Sequence, residues 1–192
     1  MKKEIRTVRY DKRLKIEAYH FQGITKPFPN HFHEYYVIGF IETGQRILSC
    51  KGIEYVIKPG DILLFNPGDN HACAQNDEGV LNYRGINISK EVMFELTKEI
   101  AEEQEMPVFS NSVIHDDEAA EYFYILHKML MNGAENLNKE EVLFLLISFL
   151  VQNHTHPLKK HILEYKYEIE KACEFIEKYY AEHICLDRKS VV

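Results

Sequence analysis

His31 and His33 flank Phe32, and His71 follows a Pro67-Gly68-Asp69-Asn70 turn far downstream. Residues two apart on a strand share a face, so the first two imidazoles point the same way. His71 can enter the same cavity. Three imidazoles form a candidate facial set for iron, zinc, manganese or nickel. Sites of that kind usually add a carboxylate. Glu34 points away from the face of His33, and Glu42 lies near the far end of the same strand, so neither is well placed. The alternative is that the histidines line a barrel and hydrogen-bond a ligand or one another, with no cofactor. Arg84 sits mid-strand beside Tyr83, where it can take an anionic ligand bidentately or pair with a surface acid. Tyr35 belongs to a set of strand aromatics, some of which can wall a small-molecule pocket. The candidate ligand contacts are therefore His31, His33, Tyr35, His71 and Arg84. The nucleophile elbow G-x-S-x-G, the phosphate loop and the dinucleotide fingerprint G-x-G-x-x-G are all missing. No catalytic residue is assigned.

The elements that must position these residues are strands. Leu14, Ile16 and Ala18 alternate with Lys15, Glu17 and Tyr19, the period of a half-buried strand. Residues 35–41 are a continuous apolar run, typical of a strand covered on both faces. Lys51-Gly52 reads as a turn between two more short strands. Residues 61–65 form a compact apolar strand between Pro59-Gly60-Asp61 and Pro67-Gly68-Asp69. The two aspartates are turn residues whose carboxylates bond nearby amides. In residues 81–88, Leu81 and Tyr83 share one parity and Ile86 and Ile88 the other, which predicts a bulge at Gly85. Short strands separated by Gly and Pro turns suggest a sandwich or barrel.

The second half changes period. Ser89 can cap a helix carrying Val92, Met93, Leu96 and Ile100, which Pro107 ends. Asp116 or Asp117 can cap the next, with Phe123, Leu126, His127 and Leu130 on one stripe and Gly133 as terminator. Asn138 with Glu141 resembles a capping box. The helix it opens, residues 139–153, is apolar on nearly every side and must be buried all round or shared with a partner. A last helix is expected over residues 165–183.

With 30 acidic against 23 basic residues the net charge is −7, which argues against this chain gripping DNA unaided. The basic residues near the start, Lys2 to Lys15, read as a solvated N-terminal arm. Cys50, Cys73, Cys173 and Cys185 form no metal or disulfide signature. The start has no apolar signal region, and the longest apolar stretch, residues 142–151, is too short for a membrane span. A cytoplasmic protein without membrane contact is the expectation.

Taken in order and spacing, several motifs resemble the AraC/XylS family of bacterial transcription regulators. They are His31-Phe32-His33-Glu34-Tyr35-Tyr36, Gly44, the run from Lys58 to His71, and Tyr83-Arg84-Gly85-Ile86-Asn87-Ile88. The resemblance implies a cupin-like double-stranded β-helix barrel over residues 1–88 that binds a small-molecule effector, with a sugar or related metabolite as one candidate class. It implies a helical dimerisation segment and linker over residues 89–160, hence a homodimer. Residues 161–192 are similar to the start of a helix-turn-helix domain that would bind promoter DNA in the full-length protein. The ending Asp187 to Val192 departs from the family's usual continuation, and the native frame is expected to be lost at Asp187. A metal-binding cupin carries a Glu seven residues before its strand-ending glycine; here that place is Val37. The expected function is ligand sensing, not catalysis, with a metal-dependent cupin enzyme as the alternative.

Overall fold

The computed structural model describes residues 4–75, 79–101, 106–133 and 138–155, together with Lys171. The chain divides into two compact units, Met1–His156 and Pro157–Val192. Apart from Lys171, the expected helix over residues 165–183, together with Cys173, Cys185 and the six terminal residues, lies outside the described residues.

The first unit pairs two sheets with three helices, the mainly β barrel with helices that the resemblance implies. The strands are β1 (Ile5–Asp11), β2 (Ile16–Ile24), β3 (Phe28–His31), β4 (Tyr36–Thr43), β5 (Arg46–Cys50), β6 (Ile53–Ile57), β7 (Ile62–Phe65), β8 (His71–Gln75), β9 (Leu81–Ile88) and β10 (Val113–Ile114). One sheet runs β1-β2-β9-β4-β7-β10 and the other β3-β8-β5-β6. Helices α1 (Lys90–Ala101), α2 (Asp117–Asn132) and α3 (Asn138–His154) follow.

Side-chain alternation gives the larger sheet two apolar faces. From β4 and β7, Val37, Ile41, Leu63 and Phe65 enter the barrel with Leu48, Ile57 and Leu81. Their neighbours Tyr36, Ile38, Ile62 and Leu64 turn outward onto Phe123, Leu126, Leu146 and Ile147 of the helices. The continuous apolar runs are thus strands buried on both sides. The same geometry corrects the bulge expected at Gly85. β9 pairs through it without a shift, Gly39 opposite Gly85 and Ile38 opposite Ile86. The parity change that suggested a bulge reflects two buried faces: Leu81 and Tyr83 face the barrel, Ile86 and Ile88 the helices.

The basic N-terminal stretch, expected as a solvated arm, forms a strand from Ile5 onward. β1 pairs with β2 from Ile5 opposite Gln22 to Asp11 opposite Ile16, while most of its side chains stay exposed. Such an edge strand buries little on either face, so it carries no hydrophobic period to read.

Helix α2 begins at the Asp116 cap, whose carboxylate accepts from Ala119 N at 2.9 Å and from His154 Nε2 at 3.1 Å. Gly133 ends it in the left-handed region at φ 66°. Replacing Asp116 with alanine should cost about 1 kcal/mol in a urea melt, the usual loss for an N-cap. Helix α3 buries Leu143, Leu146, Ile147 and Leu150 and leaves Leu145 41% exposed, so its apolar surface is not fully covered within the described residues. No helix among the described residues is long and apolar enough to cross a membrane.

Candidate functional site

Two Pro-Gly turns bracket β7, and the second lies at the end that carries the histidines. In each, glycine takes a positive φ, 92° at Gly60 and 86° at Gly68, which other residues rarely adopt. Asp61 then accepts from Lys58 N at 2.8 Å, and Asp69 from Asn66 N at 2.9 Å. The turn role expected for both aspartates is what their carboxylates perform. Gly68 N donates to the His33 carbonyl at 2.8 Å, and β3 lies beside β8 with His31 opposite His71. These contacts bring the distant histidine segments together.

The three imidazoles converge. Ring centroids lie 4.4 Å apart for His31 and His71, 4.9 Å for His31 and His33, and 5.3 Å for His33 and His71. The strand ends at His31, so the shared direction of His31 and His33 comes from the loop as well as from the pleat. Phe65 stacks on His71 at 3.9 Å, and Tyr35 stacks on His33 at 4.9 Å. Burial, then the neighbouring His71 and His31, pushes the pKa of His33 down to about 4. His71 is also lowered, chiefly by burial.

His31, His33, Tyr35 and His71 line a cavity of about 230 Å³ inside the barrel. Its apolar walls include Phe21, Phe28, Ile41, Leu48, Ile57, Leu63, Phe65 and Leu81. Its polar groups also include Glu17, Tyr19, Tyr83, Cys73 and Asn87, none of which the sequence singled out as contacts. The signal for Glu17, Tyr19 and Phe21 was their shared parity opposite Ile16 and Ala18. Tyr19 and Tyr83 bond through their hydroxyls at 2.7 Å, and burial raises the pKa of both. Asn87 Nδ2 donates to Glu17 at 2.8 Å. Burial lifts the Cys73 thiol to about 11, so it is no ready nucleophile.

Arg84, the fifth candidate, does not reach this cavity. It has the parity of Ile86 and Ile88 and so lies on the helix face of the sheet. There Nη2 contacts Glu42 at 2.6 Å, Nη1 donates to His127 Nδ1 at 3.2 Å, and the guanidinium lies 5.5 Å from the Tyr124 ring centre. Glu42 also holds His20. His127 on α2, fully buried, donates from Nε2 to the Tyr19 carbonyl at 2.8 Å. Tyr19 therefore offers its ring to the cavity and its backbone to the helix layer.

For a metal, one donor atom from each of His31, His33 and His71 lies within 4.8 Å of the others. The place where a metal-binding cupin would supply its glutamate is Val37, which is buried among Ile41, Leu63 and Phe65. Three ligands are in position and the fourth is hydrocarbon, so the donor set fits the metal-binding pattern only in part.

The model of the AraC-like ligand binding domain matches residues 13–147. A Bacillus subtilis (strain 168) protein named as an uncharacterized HTH-type transcriptional regulator, YbfI, is 43% identical over 188 residues, which is 97% of this chain and 68% of that protein. Among solved structures, an RmlC-like cupin with a double-stranded β-helix fold from Methanocaldococcus jannaschii is 14% identical, with a TM-score of 0.39, over 45% of this chain and 83% of that one. KdgF from a Halomonas species is 16% identical, with a TM-score of 0.38, over 46% and 81%. With the family model spanning most of the barrel and helices, and the regulator aligned over 97% of this chain, the chain belongs to the AraC family of transcription regulators, of which it carries the ligand-sensing domain.

Proposed function

We propose that a small organic effector binds in the barrel chamber against His31, His33, Tyr35 and His71, with Tyr19 and Tyr83 as further contacts, and that its arrival is felt by the helices. The observation that carries this reading is Tyr19. Its ring lines the chamber while its carbonyl is held by His127 of α2. Ligand contacts on one side of the sheet thus bear on the helix layer on the other, the requirement for a shift between two arrangements. Arg84 serves this coupling, not the effector. The apolar wall favours an effector with a hydrocarbon portion, and the expected sugar or related metabolite enters as one class to be tested.

The remaining parts of the reading follow the family. Residues 1–88 sense, residues 89–160 dimerise, and residues 161–192 open the DNA-binding domain. Exposed Tyr124, Ile125 and Leu145 on α2 and α3 support a homodimer through the helices. The full-length protein would contact promoter DNA in the cytoplasm, without catalysis by the barrel. The hydrocarbon at Val37 weighs against a metal-dependent enzyme.

A thermal-shift screen of sugars, amines, alcohols and carboxylic acids tests the sensing role. A ligand held only by the folded state, at 100 times its Kd, should stabilise by about 2.7 kcal/mol. Filling the chamber with Leu48→Phe should abolish that response. If no compound responds, and Leu48→Phe simply raises the melting temperature, the chamber is a packing void and the sensing role fails.

A further inference from the structure

Two of the chamber's imidazoles are held in a fixed hydrogen-bonding sense. His31 Nδ1 lies 2.7 Å from the Pro29 carbonyl, and His71 Nδ1 lies 2.9 Å from the Asp69 carbonyl. A carbonyl oxygen can only accept, so each Nδ1 carries the hydrogen, and the neutral ring keeps a bare lone pair on Nε2. The backbone has therefore fixed two of the three imidazoles as acceptors toward any ligand.

Glu17 adds a third acceptor. Asn87 Nδ2 holds it at 2.8 Å, and it also lines the chamber. A carboxylate in a largely apolar cavity is costly without a counter-charge. Yet no lysine or arginine side chain lines the cavity among the described residues. Arg84, the cation that could have served an anionic ligand, is spent on Glu42 and His127 across the sheet. The rings of Phe21, Tyr35 and Tyr83 complete the wall, with the exposed Arg6 guanidinium 5.1 Å from the Phe21 ring centre and His33 stacked on Tyr35.

We infer that the effector carries a primary ammonium group on a small hydrocarbon body, with Glu17 as its counter-charge and His31 and His71 as acceptors for its remaining hydrogens. This rests on the sensing role proposed above and specifies its ligand. An ammonium has three N–H donors and no acceptor, the complement of this array. At about 30 Å³ for each water-sized group, the cavity takes a ligand of roughly eight non-hydrogen atoms. The apolar wall receives the hydrocarbon. A carboxylate or phosphate ester would set its charge against Glu17, with no lysine or arginine among the described lining residues to offset it.

The test uses the full chain, dialysed against a chelator, and three probes of similar size: 2-phenylethylamine, 2-phenylethanol and phenylacetate. Calorimetric titration at pH 7.5 should give at least tenfold tighter binding for the amine than for either other probe. Glu17→Gln should weaken the amine at least tenfold and the alcohol by a clearly smaller factor. An alcohol or carboxylate that binds as tightly as the amine overturns the ammonium assignment and leaves the sensing role standing. So does a Glu17→Gln protein that keeps its amine affinity. Tight binding of zinc or manganese alone, with no amine binding, also overturns it, because the acceptors then serve a metal. If none of the three probes binds, the ammonium assignment fails; the sensing role fails with it only if the wider screen is also silent. The probe comparison needs no variant, so the test survives even if Glu17→Gln folds poorly.

Discussion

Gly85→Ala should destabilise the domain by about 3 kcal/mol, the upper end for overpacking a close-packed core. A Cβ placed on Gly85 would lie 2.0 Å from Cζ of Tyr19 and 2.2 Å from its hydroxyl oxygen. Non-bonded carbons prefer about 3.5–4.0 Å, so the ring must leave its place. It has little room to do so. Its hydroxyl is bonded to Tyr83, whose own ring covers Gly39 so closely that a Cβ there would meet Cε2 at 2.6 Å. Gly39 and Gly85 pair across β4 and β9, so two adjacent glycines floor two bonded tyrosines. For a chain of this length the loss corresponds to a fall of about 10 °C in melting temperature. Gly85→Ala should cost less in a Tyr19→Ala background than in the parent, because the clash is gone. A Gly85→Ala protein that melts within 1–2 °C of the parent, roughly a ±0.5 kcal/mol surface effect, would show that the ring is not fixed there.

The second large effect is acid lability centred on His127. Its Nε2 donates to the Tyr19 carbonyl and its Nδ1 accepts from Arg84, so both nitrogens are satisfied only in the neutral ring. A proton on Nδ1 would face the guanidinium. Burial first, then Arg84 and His20, lower its pKa to about 4, against the opposing pull of the Tyr19 carbonyl. The unfolded chain takes up this proton near 6.5, the folded chain only near 4. Stability from this residue is therefore complete above pH 6.5 and drains away as pH falls toward 4. A depression of this size corresponds to about 3 kcal/mol. His33, lowered in the same direction, adds a smaller loss over the same window because its ring is partly exposed. Urea melts at pH 7.5 and pH 4.5 should differ accordingly, and His127→Gln should remove most of the difference. An unchanged difference in that variant would assign the acid sensitivity elsewhere.

How much of this was legible depends on how many faces a strand buries. β4 and β7 announced themselves as apolar runs because both sides are covered, and the α2 caps because Asp and Gly have definite roles at helix ends. The edge strands β1 and β3 and the inner strand β8 carry too few buried positions to produce a period. His31, His33, Tyr35 and His71 were found by residue type and turn spacing. Tyr19, Tyr83 and Glu17 were not, because their exposure to the chamber depends on a register that only pairing reveals. Arg84 was misdirected for a related reason. Its neighbour Tyr83 enters the barrel, and adjacent residues on a strand take opposite sides.

That same opposition has an evolutionary consequence. Because one strand supplies both the chamber lining and the surface under the helices on alternate letters, each set can drift on its own schedule. A lineage can rewrite what the odd letters of β4 and β9 recognise while the even letters keep the output machinery seated. Changing diet need not mean rebuilding the messenger.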